Sequence, residues 1–366
     1  MPRSYSYWQE NFGDALRLFL TALVLEAMFD ISLGWSIVII GILTIAYTLF
    51  GGMKAVIWND CLQLLVYMLG GVLIAVVIAG RMPEGWNSIV EFGRETERFK
   101  VLDFSFDWSN PYTFWAGLIG GIFLTLGTHG VDQMLVQRYL AARSRKHASA
   151  ALVTSGFVVC IQFAFFLFLG VALAAYYSLP KFSGIDTSGM AGDRVLATFI
   201  VEELPAGVGL IGLILAGVFA AAMSTLSSSL NSSATVVVND FIKSGDDSSQ
   251  HLLRQSRTWT AIFGVIQMAI AMAASGVTRS VVNEVLGIAG MTVGLLLGLF
   301  TLARINPACR QRGAIAGLAA ASLILIAVKF ILPGIGISIA WPWYALIGAA
   351  ATILFASLAH LVLPSN

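Results

Sequence analysis

The stretch GVGLIGLILAGVFAAAMSTLSSSLNSSATVVVND, residues 207–240, decides the fold. Its first half is apolar on every face, as a helix surrounded by lipid and other helices must be. Its second half sets eight hydroxyls in a short run: Ser224, Thr225, Ser227, Ser228, Ser229, Ser232, Ser233 and Thr235. A hydroxyl in such a helix serves either as glue between helices or as a ligand.

Outward from this stretch, the whole chain has the same character. Of 366 residues, 58% are hydrophobic and only 11% charged, where soluble domains carry roughly a quarter charged residues. A helix crosses the hydrocarbon core with about 20 mostly apolar residues. Ten such spans are predicted, at 14–33, 35–53, 58–80, 112–136, 150–178, 206–238, 257–276, 280–303, 313–332 and 342–363. They are continuously apolar and do not alternate with period two, which argues for an all-α polytopic membrane protein over a barrel. No linker or low-complexity segment interrupts them, so residues 1–366 are expected to form a single membrane domain. The N-terminus, MPRSYSYWQENFGD, has no signal-peptide pattern.

The net charge of +1 points to no nucleic-acid partner, but the placement of charge is informative. Arg138, Arg143, Arg145 and Lys146 lie in the acid-free loop 138–149, and Arg304, Arg310 and Arg312 in the acid-free loop 304–312. Both loops are expected on the cytoplasmic side, and the acid-rich loops 81–111 and 179–205 outside. The alternation then puts both termini of the chain in the cytoplasm. The loop 81–111 is expected to carry a short helix across the outer surface or to be a plain connector, and Trp108, Trp115, Trp341 and Trp343 to form an aromatic belt. Cys61, Cys160 and Cys309 share no short spacing, which excludes a disulfide framework or a zinc site.

Candidate chemistry is confined to a few places. On a helix, Ser224, Ser228, Asn231 and Thr235 share one stripe, with Ala221 and Ser227 flanking it and Thr225 further round. Such a row of oxygens suits a hard cation. Asp60, at the start of the third span in VIWNDCLQ, is either an N-cap or the negative partner of that cation. Asp14 and Arg17, three residues apart in the first span, are expected to neutralise each other, with Arg17 as an anchor for an anionic solute the other reading. Glu26 and Asp30 are expected at the interface. In the fourth span, Gly120, Gly121, Gly127 and Gly130 precede THGVDQ; such glycines provide close helix packing or a local unwinding that frees backbone groups for a solute. No hydrolase, metalloprotease or nucleotide-binding motif is present, and an enzyme is not expected.

Three segments together resemble the sodium:solute symporters: YTLFGGMKAVIWNDCLQ at 47–63, HGVDQMLVQRYLAARS at 129–144 and FAAAMSTLSSSLNSSATVVVNDF at 219–241. The resemblance implies a LeuT-type fold of two inverted five-helix repeats, with solute and ions bound near the midplane. It aligns residues 14–303 with family core helices 3 to 10 and residues 313–363 with two additional C-terminal helices, so the chain resembles an N-terminally truncated member. It further implies one sodium site formed by the Ala221 carbonyl with the hydroxyls of Ser224 and Thr225, completed by helix 1. A second site would use Ser224, Ser227, Ser228 and Asp60. Solute binding or gating is carried over to Thr125, Gly127 and Thr128, where the family's sugar carriers have Asn and Tyr; threonines there disfavour sugars. The match for an anion-binding arginine of the sialic acid carriers falls near Gly13, one turn before Arg17.

The expected function is sodium-coupled symport of a small organic solute, of the sugar, carboxylate or amino acid class, across the cytoplasmic membrane. Sodium bridging the serine helix to helix 1 would favour the outward-open state. The alternatives are a transporter-like sensor of a solute and a non-functional fragment of a symporter.

Overall fold

The structure is a computed structural model that describes residues 2–362 apart from Asp30, 51–52, 133–134, 137–138, 140–141, 181–191, 205–208, 244–247 and 274–280. Side chains of residues 2–13, 27–28, 50, 53–60, 192–194, 197, 210–211, 221, 281–282 and 284 also lie outside the described set. The described residues are mostly helical, with no strand among them. The helices are α1 (Pro2–Phe29), α2 (Leu33–Phe50), α3 (Met53–Arg81), α4 (Trp86–Glu95), α5 (Gly121–Gly130), α6 (Arg145–Tyr177), α7 (Gly192–Glu202), α8 (Leu210–Val237), α9 (Ser249–Ala273), α10 (Val281–Ile305), α11 (Gln311–Ile326) and α12 (Trp343–Val362). π-turns precede α5 (Ala116–Gly120) and extend α8 (Val238–Ile242) and α11 (Ala327–Ile331).

Each of the ten predicted spans falls on helix, with shifted ends. α1 begins earlier than predicted, and the fourth span is shorter than 112–136 because regular helix ends at Gly130. Among the described residues, six helical stretches are long and apolar enough to cross a membrane. α1 and α9 carry more charge at their N-terminal ends, and α2 and α5 are shorter. α4 is the short helix foreseen in the loop 81–111.

The chain forms two compact units. The first comprises Asp14–Val101 and Ala142–Val281. α8 is its centre, in contact with α2, α3 and α9. Close approach depends on small residues, since lipid supplies little hydrophobic drive between helices. A Cβ on Gly217 would lie 3.1 Å from the Tyr67 Cα. A Cβ on Gly41 would strike Met268, and one on Gly264 would strike Ile45. At one end, Ile74, Ile78, Ile89, Tyr176, Phe199 and Ile200 form a buried core among α3, α4, α6 and α7. Arg81 there bonds Glu203 at 2.6 Å and the Tyr176 hydroxyl at 3.1 Å, and Tyr176 also donates to Glu203. Along α6, Phe157, Ile161, Phe163 and Leu167 are exposed, as lipid-facing positions should be.

The second unit comprises Met1–Gly13, Leu102–Ala141 and Val282–Asn366. α11 and α12 are tightly paired; a Cβ on Gly317 would lie 2.5 Å from the Ala356 nitrogen. On α10, Gly294 meets Ala345 and Gly298 meets Ala349 and Thr352 of α12. The segment before α5 is tied to the start of α12, where the Ala340 N–H donates to the Trp108 carbonyl at 2.7 Å. Trp343 is buried there and packs on Trp108 at 4.5 Å between ring centroids. The aromatic-belt expectation therefore fails for Trp343, because the loop folds back over it.

Contacts also give the helix directions. Tyr67 with Gly217 and Gly70 with Ile214 make α3 and α8 antiparallel, while Gly71 with Phe165 and Arg81 with Tyr176 make α3 and α6 parallel. Gly41 with Met268 and Ile45 with Gly264 make α2 and α9 antiparallel. In the other unit, α10 runs parallel to α12 and α11 antiparallel to it. Each direction is the one that ten alternating spans assign.

Candidate functional site

α8 begins at Gly209, whose φ of 71° lets the chain turn into the helix. From there the helix presents two different faces. Gly217, Ala221, Ser224, Ser228 and Ser232 recur every three or four residues and so share one stripe, which the Gly217–Tyr67 approach aims at α3. The face a quarter-turn away meets α9, where the Gln267 Nε2 donates to the Ser229 hydroxyl at 3.3 Å.

The α3–α8 register places the remaining groups. Three steps along α3, from Tyr67 to Gly70, are answered by three steps back along α8, from Gly217 to Ile214. The same register continued the other way puts Gln63 level with Ala221, and Asp60 level with Ser224, to within a turn. The Asp60 side chain lies outside the described residues; its backbone is in the first turns of α3.

Burial and hydrogen bonding distinguish the hydroxyls. Ser227, Ser228, Ser229, Ser232 and Ser233 are buried, and Ser224 and Thr225 half-buried. The Ser227 hydroxyl donates to the Ser224 carbonyl at 3.1 Å, which uses its proton and leaves its oxygen lone pairs for another group. On this seam, the buried oxygens Gln63 Oε1 and Ser232 Oγ have no hydrogen-bond partner among the described residues. A buried polar group left unpaired costs about 1–3 kcal/mol, so both are marked as positions where a ligand can repay the cost. Neither was singled out from the sequence as a ligand. The signal for Gln63 was available: it follows Asp60 by three residues, on the same face of an otherwise apolar span.

The other sequence candidates have different surroundings. Asp14 is 2% exposed and accepts from Arg17 at 2.5 Å and from the Ser229 hydroxyl. Arg17 thus pairs with Asp14 within α1, as their spacing implied, while its side chain remains 47% exposed. The Thr128 hydroxyl donates to the Leu124 carbonyl one turn back, at 2.8 Å, and Thr125 is exposed. Gly127 is a packing position, since a Cβ there would strike Val293 of α10. Its carbonyl also accepts the Val131 and Asp132 N–H groups at 2.9 and 3.3 Å as the helix ends. The glycine-rich span therefore combines close packing with a helix end, and His129 bonds the Tyr139 hydroxyl at 2.7 Å across that end.

Chemically, the α3–α8 seam offers hydroxyl, carbonyl and amide oxygens. Among the described residues no group of three or more His, Cys, Asp or Glu side chains converges as a metal cluster. Oxygen-only donors suit a hard cation, and few formal charges suit a monovalent one.

Comparison with known proteins agrees with this chemistry. The family model for the sodium:solute symporter family matches residues 15–321. Sodium-coupled monocarboxylate transporter 2 of Mus musculus is 33% identical over 308 residues, covering 82% of this chain and 48% of that protein. The sodium/iodide cotransporter of Homo sapiens is 30% identical over 342 residues, 87% of this chain and 53% of that protein. The sodium/sialic acid symporter NanT of Aliivibrio fischeri is 32% identical over 319 residues, 83% of this chain and 61% of that protein. A solved structure of a Na+-coupled sialic acid symporter, substrate-bound and outward-open, superposes with a TM-score of 0.83 at 26% identity, over 99% of this chain and 75% of that one. The chain spans about half the length of the curated relatives it matches most strongly. With its all-helical, multi-span architecture of the LeuT type, the chain belongs to the sodium:solute symporter family.

Proposed function

We propose that this protein couples sodium entry to the uptake of a small organic solute, with sodium carried on the α3-facing stripe of α8. The observation that carries this reading is the buried Gln63 Oε1, without a hydrogen-bond partner among the described residues and level with Ala221 beside the serine row. An unpaired buried oxygen beside a row of hydroxyls supports a cation site over a fully hydrogen-bonded packing seam. One sodium ion takes the Ala221 carbonyl and the Ser224 and Thr225 hydroxyls, with Gln63 alongside. A second takes Ser224, Ser227 and Ser228, with Asp60 supplying the compensating charge. The relatives named above are transporters of ions and solutes, not enzymes, and they are sodium-coupled.

For the solute we infer an organic anion over a sugar. Two of the similar proteins are named for monocarboxylate and sialic acid, and the threonines at 125 and 128 do not match the sugar carriers' residues. Charge neutrality for an anion moving with two sodium ions does not require Arg17. The protein sits in the cytoplasmic membrane with the basic loops 138–149 and 304–312 inside and α4 outside. Sodium drives the conformational cycle only through unequal affinity for its two states.

The experiment is uptake into proteoliposomes containing the full-length protein under an inward sodium gradient. Radiolabelled lactate, sialic acid, iodide and glucose are compared. Accumulation of one of the anions that collapses when sodium is replaced by potassium supports the proposal; no sodium-dependent uptake of any would refute it.

A further inference from the structure

At the α4 end of the first unit, remote in sequence from the serine row, a cavity of about 440 Å3 opens between α4, the last turns of α6 and α7. Its size lies within the roughly 300–1,000 Å3 typical of small-ligand sites. The walls are largely apolar, chiefly Phe92, Leu173, Tyr177, Val195 and Leu196, and among the described lining residues the charged one is Arg98.

Arg98 is held in place by an unusual turn. The Arg98 N–H donates to the Gly93 carbonyl at 2.9 Å and the Glu97 N–H to the Arg94 carbonyl at 3.1 Å, the paired bonds of a Schellman helix end. Glycine normally occupies the left-handed position of that motif, but here it is Glu97, at φ 54°. A non-glycine residue in this conformation carries strain and persists where its surroundings over-determine it. They do so here: Phe99 lies against Gly93, where a Cβ would collide with its ring, and stacks within 8° of parallel on Phe168 at 6.4 Å. The turn thus delivers the Arg98 guanidinium to the cavity wall, 5.6 Å from the centre of the Phe92 ring.

The two arginines at this end differ in charge compensation. Arg81 is neutralised by Glu203. Arg98 forms no ion pair with a carboxylate among the described residues. A guanidinium beside an aromatic face, opening on a cleft of Leu, Val and Tyr side chains, complements a carboxylate joined to an apolar body.

We propose that this cavity is a second ligand site, separate from the sodium stripe, which takes a small amphipathic carboxylate from the aqueous phase. Its charge pairs with Arg98 and its apolar body lies against Leu173, Val195 and Leu196. The site does not depend on the transport reading.

The test is photolabelling of the full-length protein in phosphatidylcholine nanodiscs with 4-benzoylbenzoate, followed by peptide mapping. The expected result is adducts within Leu173–Ser178 or at Val195 and Leu196. Labelling should fall roughly tenfold with the neutral 4-benzoylbenzamide and with Arg98→Gln, the loss of one charge-assisted hydrogen bond, and recover in Arg98→Lys. Ala174→Trp, which fills the cavity, should abolish it while the protein stays monodisperse, so the proposal stands or falls even if Arg98→Gln does not fold. Equal labelling by acid and amide, or adducts elsewhere only, would overturn it. So would displacement by added phosphatidylglycerol, which would make the occupant a lipid. Because labelling is read without sodium or transport, failure of sodium coupling leaves this result interpretable.

Discussion

At the scale of single residues, the seam between α3 and α8 separates ligands from glue. Ser229 is bonded to Gln267 and Asp14 and acts within the fold, whereas the buried Gln63 Oε1 has no partner among the described residues and is the proposed ligand. This predicts opposite effects of one substitution. Gln63→Leu removes the unpaired oxygen and should leave the sodium-free protein as stable or up to about 1–3 kcal/mol more stable, while sodium dependence of uptake weakens at least severalfold. Thermal unfolding in potassium and uptake against sodium concentration measure the two; lost stability with intact sodium dependence would make Gln63 a packing residue. For Asp60 the comparison is with its neighbour. Asp60→Asn should impair sodium coupling more than replacement of Asn59 does, because only the former removes the compensating charge; equal dependence in both variants rules out the assignment. Serine identity was legible in the sequence as a row of oxygens. Which serines were already bonded was not, because that depends on where Gln267 and Asp14 arrive from other helices.

At the scale of elements, close packing through small residues is the main cohesive device. In the α11–α12 pair, the Gly317 Cα sits against the Ala356 backbone with no space for a Cβ. Gly317→Val should therefore destabilise the protein by about 1–3 kcal/mol, seen as a lower unfolding temperature. Gly156→Ala on α6, where nothing lies within 4 Å, is the control and should be neutral or slightly stabilising. At the end of α4 the reverse change helps. Glu97→Gly relieves the left-handed strain and should stabilise the helix end by up to about 1 kcal/mol, measured by slower amide exchange at Arg98. Helix existence was legible from apolar length, and helix direction from counting spans. The end of α5 at Gly130 was not, because the Val131 and Asp132 N–H groups both turn back to the Gly127 carbonyl there.

At the scale of the whole molecule, sodium coupling requires that sodium bind the folded protein and alter its balance of states. Sodium should then raise the unfolding temperature of the full-length protein where equimolar potassium does not, by the equivalent of about 2.7 kcal/mol at a hundred times the dissociation constant. An identical shift in both salts would show ionic strength alone at work. The chain's membrane character, the places of its ten spans and the oxygen-rich residue types of its candidate ion site were legible in the sequence alone, because lipid demands internally satisfied helices and a hard cation demands oxygens. Tertiary structure alone decided which of those oxygens are hydrogen-bonded among the described residues, that Asp14 reaches Ser229 as well as Arg17, and that Trp343 is core. A hydrogen bond or a buried charge belongs to a pair of groups, and helices distant in sequence choose the second member.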